Sequence, residues 1–112
     1  MERKELGKIS SVRFGHVGYR GSQLGIAVTL SMGSSSVGDS RAAWDPELIE
    51  RPSTAKWTEE DRDKDLSETM RFISLLLKQA KVSDITQLKG KPVEVTMKNN
   101  TLQSWRILEE VL

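Results

Sequence analysis

The strongest constraint on the fold is the strict alternation of residues 24–32, which read LGIAVTLSM. Every second position carries a large apolar side chain, and the positions between them carry Gly, Ala, Thr or Ser. Because successive side chains of a β-strand point to opposite faces, this pattern predicts a strand with one buried face and one face of small residues. The small face allows a backbone, a helix or a ligand to approach closely.

The preceding segment predicts a partner for this strand. Residues 8–14 (KISSVRF) read as a second strand, although Ile9 is out of phase with Val12 and Phe14. The loop 15–23 between the two strands is rich in glycine, which permits positive φ angles. We therefore expect a hairpin with a long Gly-rich tip.

Residues 33–57 show the least regular pattern. Their first part, GSSSVGDS, reads as a flexible stretch rich in hydroxyls, and residues 41–44 as either a short strand or a return segment. Pro46 and Pro52 then bracket a loop. A connection of this length inside a small domain is typical of a binding loop. The polar residues 1–8 are expected to be frayed.

One long helix is predicted to begin after Thr58. The Thr58 hydroxyl stands three residues before the carboxylate of Asp61, which is the spacing of a capping box, and Trp57 precedes it as a hydrophobic staple. The stripe expected to face the core consists of Leu66, Thr69, Met70, Ile73, Leu76, Leu77 and Ala80. Leu75 lies on the opposite side, which indicates that a second face of the helix is covered.

The C-terminal third predicts a short helix and a second hairpin. Ser83 is expected to cap a helix over residues 84–89. Residues 92–98 and 101–108 then read as two strands joined by a tight Asn-Asn turn, since Asn tolerates positive φ angles.

The phase of the last strand requires an irregularity. A two-residue turn sets Met97 opposite Leu102, and regular alternation then turns Ser104 toward the core and Trp105 away from it. We therefore expect a β-bulge or a longer loop in this hairpin.

These elements together predict one α+β domain over residues 1–112. Its expected architecture is an antiparallel four-stranded sheet made of two hairpins, with one long amphipathic helix and a short helix. Because one helix does not cover the whole of such a sheet, a homodimer is one way to bury the remainder.

Composition and charge exclude several classes of function. The chain has no Cys and a single His, so we predict no disulfide, no metal site and no cofactor. A formal net charge of +1 argues against nucleic acid as a partner. No apolar run approaches the ~18 residues of a membrane span, and the N-terminus lacks a signal-peptide core. We therefore expect a cytoplasmic protein with no membrane partner.

The candidate binding residues lie in two polar segments. The Gly-rich tip carries Tyr19 and Arg20, and the following polar stretch carries Ser35, Arg41 and Trp44. Arg pairs with phosphate and an aromatic ring stacks on a base, so one pocket formed from both segments suits a nucleotide. The glycine spacing matches neither a P-loop nor the dinucleotide fingerprint. The alternative is a hairpin tip and a solvated connection with structural roles only.

The residues offer little for catalysis. His16 is the one side chain whose unperturbed pKa suits a general base near neutral pH, and a set of Ser22, His16 and Asp39 matches no nucleophile motif. We therefore predict that the protein is not an enzyme.

Three segments, GHVGYRGSQLGIAVTL, AKWTEEDRDKDLSETMRFISLLLKQAKV and LKGKPVEVTMKNNTLQSWRIL, resemble small phage- and prophage-encoded proteins of uncharacterised function. The resemblance covers residues 8–108 and transfers no functional residue. It implies a phage accessory protein, a class whose members without an enzyme motif often act stoichiometrically against host defences.

The function implied by this resemblance is non-enzymatic inhibition of a host antiviral defence system in the host cell cytoplasm. The protein would block a defence protein complex such as a CRISPR effector. One alternative is a sponge that sequesters a nucleotide immune signal in a pocket lined by Gly, Ser and Arg. Another is a structural phage accessory protein.

Overall fold

Five β-strands and one long helix form the part of the chain that a computed structural model describes, residues 1–45 and 58–112. The strands are β1 (Glu2–Val17), β2 (Gln23–Met32), β3 (Ser35–Trp44), β4 (Pro92–Lys98) and β5 (Thr101–Ile107), and the helix is α1 (Glu59–Ala80). Short 3₁₀ turns cover Tyr19–Gly21, Ile85–Gln87 and Glu109–Val111. The predictions for Pro46, Pro52 and Trp57 lie outside the described residues.

The strands form one antiparallel sheet in the order β3-β2-β1-β4-β5. The first half of β1 pairs with β4 and the second half with β2, so that only Lys8 has a partner on both sides, Pro92 and Ser31. A central strand that changes partners halfway along its length makes the sheet curl. The α+β class is therefore confirmed, but the predicted four-stranded sheet is wrong by one strand.

The additional strand is β3, in the segment interpreted from sequence as a flexible stretch followed by a short strand or a return segment. It pairs with β2 along its whole length, from Ser35 opposite Met32 to Trp44 opposite Gln23. Its Ser, Gly and Asp residues have weak strand preferences of their own. The regular ladder of β2 therefore imposes the extended conformation, which the local pattern of β3 predicts only as one of two alternatives for residues 41–44.

The structure of β1 differs in two ways from what the sequence predicts for the N-terminal residues. Residues 1–8 are not frayed as a group, because Glu2 to Lys8 pair with β4. A bulge at Ser10 shifts the register with β2, so that Ile9 and Val12 stand opposite Leu30 and Val28. The extra residue returns Val12 to the face of Ile9 and removes the phase conflict seen in the sequence.

The core lies between α1 and the face of the sheet that carries the large side chains of β2, here called the inner face. The alternation predicted for β2 is confirmed. The buried core residues are Ile9, Ile26, Val28, Leu30, Met32, Leu76, Ala80, Leu88, Val93, Val95, Met97 and Ile107. No helix within the described ranges combines the length and the apolar character needed to cross a bilayer.

The N-terminus of α1 has the predicted capping box. The Thr58 hydroxyl accepts a hydrogen bond from the Asp61 backbone N–H at 3.2 Å, and the Thr58 N–H donates to Oδ2 of Asp61 at 2.9 Å. Two of the donors that a helix start leaves unpaired are thereby satisfied.

The buried stripe of α1 is rotated from the predicted one. The fully buried residues are Thr69, Leu76 and Ala80, and Phe72 and Ile73 pack at the border of the core. Met70, predicted to face the core, is 54% exposed, and Leu66 is only partly buried. The rotation follows from the position of β3, because α1 packs more closely along this strand than along any other.

The second hairpin contains the predicted bulge. Asn99 and Asn100 have φ angles of 52° and 65°, as the tight turn requires. Met97 pairs with Leu102 and Thr96 with Ser104, which leaves Gln103 as the extra residue. Trp105 and Ile107 are thereby returned to the inner face.

The short helix expected over residues 84–89 is only the 3₁₀ turn Ile85–Gln87. Its cap is Asp84, whose carboxylate accepts from the Thr86 N–H at 2.7 Å, rather than Ser83.

Candidate functional site

A groove of about 410 Å³ lies between α1 and the two edge strands of the sheet. Its lining comes from three elements: Asp39 and Arg41 of β3, Phe72, Leu75, Leu76 and Gln79 of α1, and residues 102–106 of β5. The curl of the sheet brings the edges β3 and β5 to the same helix. The groove is therefore a product of the sheet topology and not of one loop.

Trp105 joins the two walls of the groove. Its indole Nε1–H donates to Oδ2 of Asp39 at 2.7 Å, although the two residues are 66 positions apart in the chain. The Phe72 ring meets the indole edge to face, with centroids 6.3 Å apart and planes at 83°. Aromatic pairs of this geometry stabilise packing beyond the area that they bury. These contacts hold β3, α1 and β5 together at one point.

Arg41 lies on the inner face of β3, because it stands directly opposite the buried Ile26. Its guanidinium carbon lies 4.5 Å from the centroid of the Phe72 ring. Its Nη1 donates to Oδ1 of Asp39 and, at 3.1 Å, to the carbonyl oxygen of Ser40. The side chain is nevertheless 45% exposed, and its Nε and Nη2 donate no hydrogen bond to the described residues. Arg41 is therefore held in one orientation, and the described residues leave its Nε and Nη2 donors unused.

Arg106 also lines the groove, but each of its three side-chain nitrogens already donates a hydrogen bond. Nε donates to Glu94 at 3.2 Å, and Nη1 and Nη2 donate to the two carboxylate oxygens of Glu110 at 3.1 and 3.0 Å. The hydrogen bonds that Arg106 donates to Glu110 and then to Glu94 raise the pKa of Arg106 above its usual range. The same pair lowers the pKa of Glu110. The positive charge of Arg106 is therefore neutralised by its own neighbours.

The apolar part of the groove comes mainly from α1. Leu75 is 51% exposed, whereas Leu76 beside it is buried in the core. Leu102 and Trp105 are partly buried on the β5 side. The face of α1 that carries Leu75, which the sequence predicts to be covered, forms one wall of the groove.

The five site residues predicted from sequence all lie in the described ranges, and they do not form one pocket. Arg41 alone lines the groove. Ser35 lies at the β2–β3 turn, where its hydroxyl donates to the Met32 carbonyl oxygen at 3.2 Å. It is therefore at the opposite end of β3 from Trp44.

Tyr19 and Arg20 lie at the hairpin tip, which leads along the chain to the end of β2 that pairs with Trp44. Trp44 pairs with Gln23 beside the tip, and the Arg20 guanidinium carbon lies 5.1 Å from the centroid of the Tyr19 ring. Tyr19 is 62% exposed. The tip is anchored by the buried Ser22, whose carbonyl oxygen accepts from the N–H of the residue after Trp44 at 2.8 Å.

The catalytic set considered from sequence is not assembled. Ser22 is buried and donates its hydroxyl proton to the carbonyl oxygen of Tyr19 at 2.5 Å. His16 lies 3.8 Å from a carboxylate oxygen of Asp45, and Asp39 belongs to the groove. Within residues 1–45 and 58–112, no three His, Asp or Glu side chains form a group that can hold a metal ion.

Sequence reasoning missed Asp39, Phe72 and Trp105 as residues of one site. Two signals were available. The bulge expected in the second hairpin turns Trp105 inward, and alternation along β3 puts Asp39 and Arg41 on one face. Neither signal reveals that β3 and β5 meet at the same helix, because that depends on the curl of the sheet.

No protein-family model, curated protein sequence or solved structure matches this chain. The interpretation of the groove therefore rests on its own geometry.

Proposed function

We propose that this protein is a non-enzymatic binding protein that acts by occupying another protein, and that the groove between α1, β3 and β5 is its contact site. In the setting implied by the resemblance to phage proteins, the occupied partner is a component of a host defence complex, such as a CRISPR effector. Binding would then inhibit the complex stoichiometrically.

The observation that carries this proposal is the exposure of Leu75 beside a partly buried wall that includes Leu102 and Trp105. Aromatic and large apolar residues surrounded by a polar rim are typical of the centre of a protein interface. The polar rim is present here in Gln79, Gln103 and other groove residues.

The charges of the groove favour a protein partner over a nucleotide. Arg106 forms ion pairs with Glu94 and Glu110, and Arg41 forms an ion pair with Asp39. A dianionic phosphate needs a concentration of unpaired cations. An apolar side chain of a protein needs only the exposed leucine and the aromatic wall.

The experiment compares Leu75→Arg with Met70→Arg. Both residues lie on α1 with similar exposure, 51% and 54%, but Met70 does not line the groove. Each variant is expressed in bacterial strains that each carry one defence system, and phage plating efficiency and co-purified defence proteins are measured. We expect the wild type and Met70→Arg to restore plating and retain the partner, and Leu75→Arg to lose both.

Circular dichroism and thermal unfolding must show that both variants are folded. Equal inhibition and equal partner retention by Leu75→Arg and the wild type would contradict the assignment of the groove. Failure of the wild type in every strain would contradict the proposed inhibition of defence.

The nucleotide sponge remains the second candidate because of one observation at the hairpin tip. Arg20 stacks on the exposed Tyr19 ring, and an exposed aromatic ring with a cation is a platform on which a base can stack. A ligand at one hundred times its Kd stabilises the folded state by about 2.7 kcal/mol. A thermal-shift panel of linear and cyclic nucleotides therefore detects a sponge, and Tyr19→Ala should abolish the shift. A nucleotide shift that Tyr19→Ala removes would favour this candidate over protein binding.

A further inference from the structure

We propose that Arg41 is the carboxylate-recognising residue of the groove, and that the protein segment that docks there carries an Asp or Glu next to a large apolar side chain. This inference rests on the proposed function, because it specifies the chemistry of the protein partner.

The first argument is the orientation of the Arg41 guanidinium. Stacking over Phe72 at 4.5 Å and donation to Asp39 and the Ser40 carbonyl oxygen restrain the group from three directions. A guanidinium that is already ordered loses little side-chain entropy when it binds, and its planar fork matches a carboxylate. Nε and Nη2 are the donors that its contacts with the described residues leave unused.

The second argument is that the other charged groups of the groove already form hydrogen bonds within the protein. Both carboxylate oxygens of Asp39 already accept hydrogen bonds, from Arg41 and Trp105. Arg106 donates to Glu94 and Glu110 through all three of its nitrogens. Among the described lining residues, Arg41 is therefore the cation with two nitrogens that donate no hydrogen bond to the described residues.

The third argument is the combination of this donor set with an apolar neighbour. Leu75 lines the same groove as Arg41 and leaves half of its surface exposed. A bound carboxylate brings one negative charge, which matches one partly neutralised guanidinium better than a phosphate dianion does. A carboxylate beside an apolar side chain satisfies Arg41 and covers Leu75 in one contact.

The test uses two blocked peptides, acetyl-Asp-Leu-Phe-amide and acetyl-Asn-Leu-Phe-amide, which differ only in the carboxylate. Binding to the full chain is followed by NMR at the Arg41 Nε–H and at the Trp105 indole N–H, the latter assigned with Trp105→Phe. We expect a saturable shift with the Asp peptide and a dissociation constant about tenfold higher for the Asn peptide, as expected for one charge-assisted contact.

Two variants separate recognition by Arg41 from general electrostatic attraction. Arg41→Gln should reduce the affinity for the Asp peptide to that of the Asn peptide. Arg13→Gln removes the same formal charge from an exposed residue of β1 that does not line the groove, and it should leave the affinity within about twofold. Thermal unfolding of both variants verifies that the fold is retained.

Several outcomes would overturn the inference. They are equal binding of the two peptides, no saturable shift with either peptide, equal losses in Arg41→Gln and Arg13→Gln, and a larger shift with inorganic phosphate than with the Asp peptide. If any of these occurs while Leu75→Arg still loses its partner, the carboxylate preference is wrong and the proposed function stands. If the peptides behave as expected while Leu75→Arg retains its partner, the groove is wrongly assigned as the contact site of the proposed function and the carboxylate site stands.

Discussion

The indole nitrogen of Trp105 donates a hydrogen bond of 2.7 Å to the carboxylate of Asp39, and this bond connects the two edge strands of a single sheet. Edge strands expose unpaired backbone groups and are prone to pair with other chains. Inward-pointing charged residues are one of the devices that prevent such pairing. In this protein, Asp39 and Arg41 on β3 have that arrangement and also line the groove.

Removal of the Asp39 carboxylate should destabilise the fold because its two hydrogen-bond donors lose their acceptor. Asp39→Ala leaves the Trp105 indole donor and the Arg41 Nη1 without this acceptor, and an unsatisfied partly buried donor costs about 1–3 kcal/mol. Urea denaturation measures the loss in the free energy of unfolding. The exposed Glu68 provides a control, since Glu68→Ala should change stability by less than about 0.5 kcal/mol.

A double-mutant cycle isolates the contact between the two strands. In the Trp105→Phe background the indole donor is absent, so Asp39→Ala should cost less there than in the wild type. We expect a coupling free energy of about 0.5–3 kcal/mol, the range for residues in direct contact. Strict additivity of the two substitutions would show that the bond between β3 and β5 contributes nothing to stability.

The orientation of α1 is tested by two truncations on the same helix. Leu76 is 3% exposed, so Leu76→Ala should cost about 2–5 kcal/mol by removing buried methyl groups and leaving a cavity. Met70→Ala removes an exposed side chain and should cost less than about 0.5 kcal/mol. Chemical denaturation of both variants gives the comparison. A loss at Met70 as large as that at Leu76 would mean that the stripe predicted from sequence, which contains both residues, is the correct one.

Gly25 should not tolerate a side chain. A Cβ at this position would overlap the carbonyl oxygen of Arg41 and the Cβ of Ala42, so Gly25→Ala must displace β3 and should cost about 1–3 kcal/mol or more. Gly38 is the matched control in the neighbouring strand, because a Cβ there would meet only the Val28 carbonyl oxygen at 3.8 Å. Gly38→Ala should be neutral or slightly stabilising, since Ala restricts the unfolded chain. Thermal unfolding that ranks the two variants in the reverse order would refute the close approach of β2 and β3.

Asp84 should contribute a pH-dependent term to stability. The Thr86 hydroxyl and then its backbone N–H donate to the Asp84 carboxylate, at 2.6 and 2.7 Å, and lower the pKa of Asp84. Since the folded-state pKa lies below the unfolded value of about 3.9, the stabilisation is complete above that value. It is lost as the pH falls through the lower, folded-state pKa.

Thr86→Val removes the hydroxyl donor and should raise the pKa of Asp84 toward its usual range. Carboxyl ¹³C NMR titration measures the change, and Glu110 provides an internal reference because its pKa is lowered by Arg106 and not by Thr86. An unchanged pKa of Asp84 in Thr86→Val would assign the shift to the backbone donor alone.

Local patterns in the sequence determined much of the fold. The alternation of residues 24–32 predicted β2, the Thr58–Asp61 spacing predicted the start of α1, and the phase of the last strand predicted the bulge at Gln103. Each of these signals lies within a few residues of chain, where steric preference and hydrogen bonding act directly. Of the candidate site, the sequence singled out Arg41 and the unpartnered Leu75.

Only the tertiary structure decided the rest. β3 is a strand because β2 offers it a complete ladder, which its own Ser, Gly and Asp residues do not predict. The groove exists because β1 changes partners at Lys8 and the sheet curls until Trp105 reaches Asp39. Contacts between residues so distant in the chain depend on how whole elements pack, and packing of that kind leaves no periodic trace in the sequence.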